Sequence, residues 1–238
     1  MSTLAEIRDR VEAMLMDTAN AIWGTDVIDE AIRQALDEYN QVYPLSTETV
    51  ITLPGDGREI ALNSLSSLVE VLEVWWPYDS DATSEAWPPN KVRGFRLWWD
   101  DAHPVLFLDL VDGSQPQGDD ELRIWYTRRQ TIQDLDSGDA TTLQGDHETA
   151  LVKGAAGHAA LFRTADLVEV DGTDLYAVGL LGTWGRAKER EWSAFLETLR
   201  KAGARRGPGW GQGWGLDKWD TETGGQVSRG SEGWPAGG

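Results

Sequence analysis

The sequence predicts an α+β protein. An N-terminal helical hairpin and two C-terminal helices enclose an inserted antiparallel β-sheet or sandwich, and an extended Gly/Trp-rich C-terminal arm follows. Three observations predict this. Apolar residues recur at helical spacing over residues 4–15 and 28–39. The period shortens towards two, with turn-rich separators, between about residues 46 and 145. Helical spacing returns after residue 146 and ends near residue 203, beyond which glycine and tryptophan dominate. The corresponding units are a helical core over 1–45 and 146–203, a β-rich insertion over 46–145, and an arm over 204–238.

The first helix begins at a capping box made by Thr3 and Glu6. Leu4, Ile7, Val11, Met14 and Leu15 form its apolar face. Thr25 is the expected cap of the second helix, whose buried stripe is Ile28, Ile32, Leu36 and Tyr39, and Pro44 ends it. Next, "ETVITL" and "REIAL" flank "PGDG", the pattern of a β-hairpin. "LVEVLEVWW", "KVRGFRLWW", "PVLFLDL" and "ELRIWYTRR" are further strands, rich in β-branched and aromatic residues. Asp146 is the expected cap of "HETALVKGAAGHAALFRTADL", whose Gly154, Ala155, Ala156, Gly157, Ala159 and Ala160 allow another backbone to approach closely. In the last helical stretch, residues 173–203, Trp184, Ala187, Glu191, Phe195 and Leu199 fall near helical spacing. Arg200 and Lys201 suit the negative end of its dipole.

Charge and composition exclude several function classes. There is no cysteine, so neither disulfides nor thiolate metal sites form. The net charge is −19, which excludes a basic footprint for the DNA backbone. From Gly203 onward Arg205, Arg206, Lys218 and Arg229 balance Asp217, Asp220, Glu222 and Glu232, so the body carries the whole excess. No stretch has the roughly 18–20 apolar residues needed to span a bilayer. The N-terminus lacks a signal-peptide pattern, and synthesis in the cytosol is the expectation.

No motif assembles a catalytic or cofactor site. "HETAL" opens like a zinc-protease helix, but Leu151 stands where the second histidine belongs. His147 and His158 are too loosely phased on one helix to make a ligand pair. "DLDSGDATTLQGD" gathers carboxylates and glycine but breaks the EF-hand order, and reads as a solvated loop leading into a helix. "GPGWGQGWG" does not join a strand to a helix, so it is not a dinucleotide fingerprint. There is no phosphate-binding GxxxxGK[ST] loop and no nucleophile elbow. The expectation is a protein with no enzymatic activity, cofactor or metal.

Thirteen tryptophans remain to be placed. In the pairs Trp75–Trp76 and Trp98–Trp99, strand alternation should turn one member inward and the other outward. The inward members build the core. Trp76 and Trp99 are candidates for contact with a neighbour. A stacking platform for sugars, and hence a carbohydrate-binding module, is the alternative reading.

The order of elements resembles one known family. "LAEIRDRVEAML…TDVIDEAIRQALDEYNQVYP" is similar to the helical hairpin that begins head–tail connector (adaptor, or head completion) proteins of tailed bacteriophages. "VITLPGDGREIAL…VLEVWWP" resembles their β-insertion, and "GDHETALVKGAAGHAALF" their next helix. The likeness covers roughly residues 1 to 200. It implies a non-enzymatic virion protein, made in the bacterial host cytoplasm and placed at the neck. Such proteins form a homo-oligomeric ring, usually of twelve copies, between the portal protein and a tail or nozzle protein. DNA passes through without specific binding, and no membrane is involved.

The arm lies beyond that likeness. Burying Trp210, Trp214, Trp219 and Trp234 offsets less than the backbone entropy of ordering so long and glycine-rich a segment. A partner must therefore also satisfy its backbone groups. The expectation is an arm that docks on the portal or a neighbouring subunit, with a tail folded back on its own body as the alternative. Trp210, Trp214, Trp219 and Trp234 would be its partner-binding aromatics, and Arg205 and Arg206 would pair with acidic groups.

Overall fold

The structure, a computed structural model, describes residues 2–17, 22–81, 90–101, 103–110, 113–168, 170 and 174–206. These form helices α1 (Leu4–Leu15), α2 (Thr25–Val42), α3 (Gly145–Val168) and α4 (Leu175–Arg206). Between α2 and α3 lie strands β1 (Leu45–Thr52), β2 (Glu59–Ala61), β3 (Leu68–Tyr78), β4 (Gly94–Asp100), β5 (His103–Asp109) and β6 (Glu121–Arg128). The α+β class and the order of elements are as the sequence predicts.

Local signals explain most boundaries. The capping box of α1 forms in full, with Thr3 Oγ1 accepting from Glu6 N and Glu6 Oε2 accepting from Thr3 N. Two expected caps are displaced. Gly24 is the N-cap of α2, and Thr25 is already helical. There Asp17 holds the incoming chain by accepting from the N–H groups of Ile22 and Trp23, both at 2.8 Å. Likewise α3 begins at Gly145, so Asp146 stands inside its first turn, where its charge still suits the positive helix end. The last helix runs to Arg206, three residues into the segment expected to be arm.

The β-region forms two three-stranded antiparallel sheets, ordered β1-β6-β3 and β2-β5-β4. "ETVITL" and "REIAL" therefore do not form the expected hairpin. β1 pairs with β6, Leu45 opposite Arg128 through Thr52 opposite Glu121, while β2 pairs with β5. The loop between them is pinned by residues 116–120 instead of closing on itself. Leu53 N donates to Asp120 O, Gly57 N to Pro116 O, and Gly118 N to Asp56 Oδ1. Each strand thus turns its apolar side into one shared interior. Ile60, Leu106 and Leu108 from one sheet meet Val71, Val74, Leu122, Ile124 and Tyr126 from the other. Residues 90–92 bridge the sheets: Trp76 N bonds to Asn90 O and Val92 N to Val74 O before the chain enters β4.

A second buried cluster belongs to the helices, with Ile132, Leu135 and Leu143 added from the loop before α3. α3 lies at its centre and packs on α1, α2 and α4. The small residues act as their pattern predicts. A Cβ on Gly154 would come within 2.8 Å of the Trp192 ring. A Cβ on Gly157 would lie 3.1 Å from Glu189 N, and one on Gly185 would lie 3.2 Å from Gly157 O. Of the expected line on α4, Leu199 is buried, while Ala187 and Glu191 are exposed, because the buried side runs through Gly182, Gly185 and Trp192. The two clusters meet where α2 ends and β6 exits. Asn40 Oδ1 accepts from Gln130 N at 2.6 Å, and Asn40 Nδ2 donates to Gln130 O at 3.2 Å.

Gly154→Val should lower unfolding free energy by about 2 kcal/mol, because overpacking against a buried ring costs about 1–3 kcal/mol. Gly179, in the same helical layer, has no atom within 4 Å of its absent Cβ. There Gly179→Ala should stabilise by about 0.5–1 kcal/mol. Urea unfolding of both variants checks this pair of opposite signs.

Candidate interaction surfaces

The residues most suggestive of chemistry are committed to packing. His147 lies 7% exposed, with its Nδ1 2.6 Å from the Tyr39 hydroxyl oxygen and its ring edge-on to Tyr43 and Phe195. Burial pushes the Tyr39 phenol well above its ordinary pKa, so it stays neutral beside the imidazole. His158 faces elsewhere, with Nε2 3.3 Å from Glu38 Oε2, the oxygen that also accepts from Trp192 Nε1 at 2.7 Å. Among the described residues no three His, Cys, Asp or Glu side chains converge to hold a metal ion.

The acidic loop before α3 is a structural joint. Asp136 accepts two hydrogen bonds of 2.8 Å from Arg33, which hold its carboxyl below the usual range. That contribution exists above the unfolded pKa and disappears as pH falls through the folded one. Gly138 is required here, since a Cβ would lie 2.4 Å from Ile132 O. Gln133 meanwhile bonds to the start of α1 through Leu4 N.

The tryptophans divide by location. Trp76 is half-buried against the β-core and donates to Asp120 Oδ2 at 3.1 Å. Its neighbour Trp75 lies on the outer face of the sheet, with its ring centroid 4.4 Å from that of Trp125 and the planes at 50°. Arg123 covers these rings, 4.4 Å above Trp125 and 5.5 Å from Trp75, and bonds to Glu48 and Tyr78. One face of each ring is thus occupied by a guanidinium, and the two rings are not coplanar, which suits a cation–π cluster better than a sugar platform.

The second pair departs from the expected alternation. Trp98 and Trp99 are both exposed, at 36% and 53%. The pleat does turn Trp99 to the side of Phe95 and Leu97, but it stands opposite Pro104 at the tip of the β4–β5 hairpin, past the end of the core. Of the expected partner-binding residues, Trp76 is therefore chiefly a packing residue, while Trp99 is exposed at the hairpin tip. Arg205 and Arg206 continue α4, and Trp210, Trp214, Trp219 and Trp234 lie outside the described residues.

Three features were not singled out from sequence. Arg123 could have been found, since it alternates with buried Leu122 and Ile124 and so shares a face with Trp125. A cleft lined by Ile22, Val27 and Phe162, and an exposed apolar line on α4, depend on helix packing and have no local signal. Among the described residues no helix is long and apolar enough to cross a membrane.

The family model of the SU10 adaptor protein matches residues 2–209, which is most of the chain. No curated protein matches the sequence.

Trp76→Ala should cost about 2–3 kcal/mol of stability, somewhat below a fully buried tryptophan. Trp99→Ala should change stability by less than about 0.5 kcal/mol, as exposed positions do. Thermal unfolding measured side by side checks the split.

Proposed function

Because the chain belongs to the SU10 adaptor protein family, we propose that it is a structural component of the bacteriophage neck, a ring that joins the portal to the tail and continues the DNA channel. The family match over residues 2–209 carries this reading. The charge supports it: a net −19 confined to the body suits a wall past which DNA must slide without sticking. Phosphates are repelled over about a Debye length of 8 Å at physiological salt. Duplex DNA should accordingly pass without specific contacts.

The division of labour follows the fold. The helical residues 1–45 and 146–203 form the ring body, and the β-rich residues 46–145 present surfaces to the neighbours above or below. Trp99 at its hairpin tip is a contact aromatic, of the kind enriched in interfaces. The segment after α4 serves as an arm on the portal or an adjacent subunit. Glycine lets it thread a narrow groove, while Trp210, Trp214, Trp219 and Trp234 anchor it and Arg205 and Arg206 meet acidic groups.

A chain ending at Arg206 keeps α4 whole and removes the tail tryptophans. Such a chain should retain its melting temperature and its ability to form rings, yet lose attachment to portal-bearing heads by negative-stain imaging. Normal attachment by the shortened chain would refute the arm. Failure of the full-length chain to join heads at all would refute the neck assignment.

A further inference from the structure

The helical layer carries two unfilled apolar surfaces. On α4, Tyr176 and Leu180 are 75% and 55% exposed, and exposed Thr183 and Ala187 continue their line at helical spacing. Gly182, Gly185 and Trp192, which face α3, lie about half a turn round the helix, so the line points away from the bundle. The second surface is a cleft of about 270 Å³ where α3 meets the start of α2, lined by Ile22, Val27 and Phe162. Of its α3 residues, Phe162 and Asp166 stand about half a turn from Gly157, Ala160 and Thr164, which face α4, while Arg163 at its edge is bonded to Asp166. The two surfaces are therefore on opposite flanks of the layer.

They also stand at the same height. Gly182 lies against Thr164, and Gly185 against Ala160 and Leu161, so Leu180 and Thr183 are level with the cleft. Their charges complement each other. Arg186 and Arg190, both exposed, flank the α4 line and have no ion-pair partner among the described residues. Exposed Asp26 stands at the start of α2 beside the cleft and has no ion-pair partner among the described residues, while Glu30, one turn on, is already bonded to Arg33.

We propose that the Tyr176–Leu180 line of one copy seats in the Ile22/Val27/Phe162 cleft of a second copy, with Arg186 and Arg190 towards the acidic start of α2. This rests on the ring reading above and supplies its contact. Two different surfaces on opposite flanks make a heterologous interface, which propagates in one direction. Equal height means that rotation about an axis parallel to the helices, with no shift along it, brings line to cleft. Repetition then closes a ring, whereas a two-fold dimer would need one self-complementary patch.

The absence of native cysteine makes the test direct. Full-length Leu180→Cys and Val27→Cys chains are mixed, treated with a short bis-maleimide, and resolved on a denaturing gel. The mixture should yield cross-linked dimer at least about tenfold above either variant alone, since an interface raises the effective thiol concentration towards the millimolar range. A chain carrying both substitutions should give a ladder that stops at the ring number. Leu180→Glu in a Val27→Cys background, mixed with Leu180→Cys, should still cross-link, because its cleft is intact. Yield no higher than for a Ser46→Cys and Val27→Cys control mixture, or cross-links confined to one variant, would overturn the contact. Should wild-type rings form while that cross-link fails, only this contact falls. Should the wild-type chain form no ring, alone or at the neck, the ring reading falls with it.

Discussion

The contact between α3 and α4 is the constraint on which the molecule turns. It requires glycine where Trp192 lies on Gly154 and where Gly157 and Gly185 bring two backbones together. Trp192 then does more than fill a notch. Its indole stacks between Tyr39 and Phe195, and its N–H donates to Glu38, so one side chain joins α2, α3 and α4. In the same interior the Tyr39 hydroxyl meets His147, and Glu38 meets both Trp192 and His158, so these polar side chains pair with one another.

The β-region depends on this helical frame at its two ends. It leaves from α2 and returns to α3, and the paired hydrogen bonds between Asn40 and Gln130 hold the junction. Within it, stability comes from an interior shared by two small sheets, neither of which could bury its apolar face alone. That sharing is also why the chain changes sheet four times, between β1 and β2, β2 and β3, β3 and β4, and β5 and β6. The outer face of one sheet is closed by the Arg123 cluster, while the hairpin of β4 and β5 extends its tryptophans beyond the core. Aromatic residues of one composition thus serve different ends according to where the core stops.

Electrostatics and shape both constrain the assembly proposed above. The negative charge of the body discourages adhesion to DNA and equally discourages contact between identical acidic surfaces. A ring of such subunits needs its interfaces to be local, apolar and edged by opposite charges. In the proposed ring, Tyr176 and Leu180 beside Arg186 on one flank would meet Val27 beside Asp26 on the other flank of the next copy.

Much of this was legible in the sequence. Helices α1 to α4 follow from period and small-residue pattern, since amphipathic spacing and a glycine–alanine run act locally. The strands follow from β-branched and aromatic runs between turns, and the acidic balance is a count. What stayed hidden depends on distant partners. Pairing β1 with β6 and β2 with β5, in place of the apparent hairpin around "PGDG", was decided by which faces could share one interior. The N-cap of α2 at Gly24 and the start of α3 at Gly145, both earlier than expected, were decided by where tertiary contacts let each helix begin. Exposure of both Trp98 and Trp99 was decided by where the sandwich ends, which alternation along a strand does not encode. The sequence alone determined the elements and the charge because those rest on neighbours along the chain. Tertiary structure alone decided pairing, burial and the two open apolar flanks, because those rest on neighbours in space.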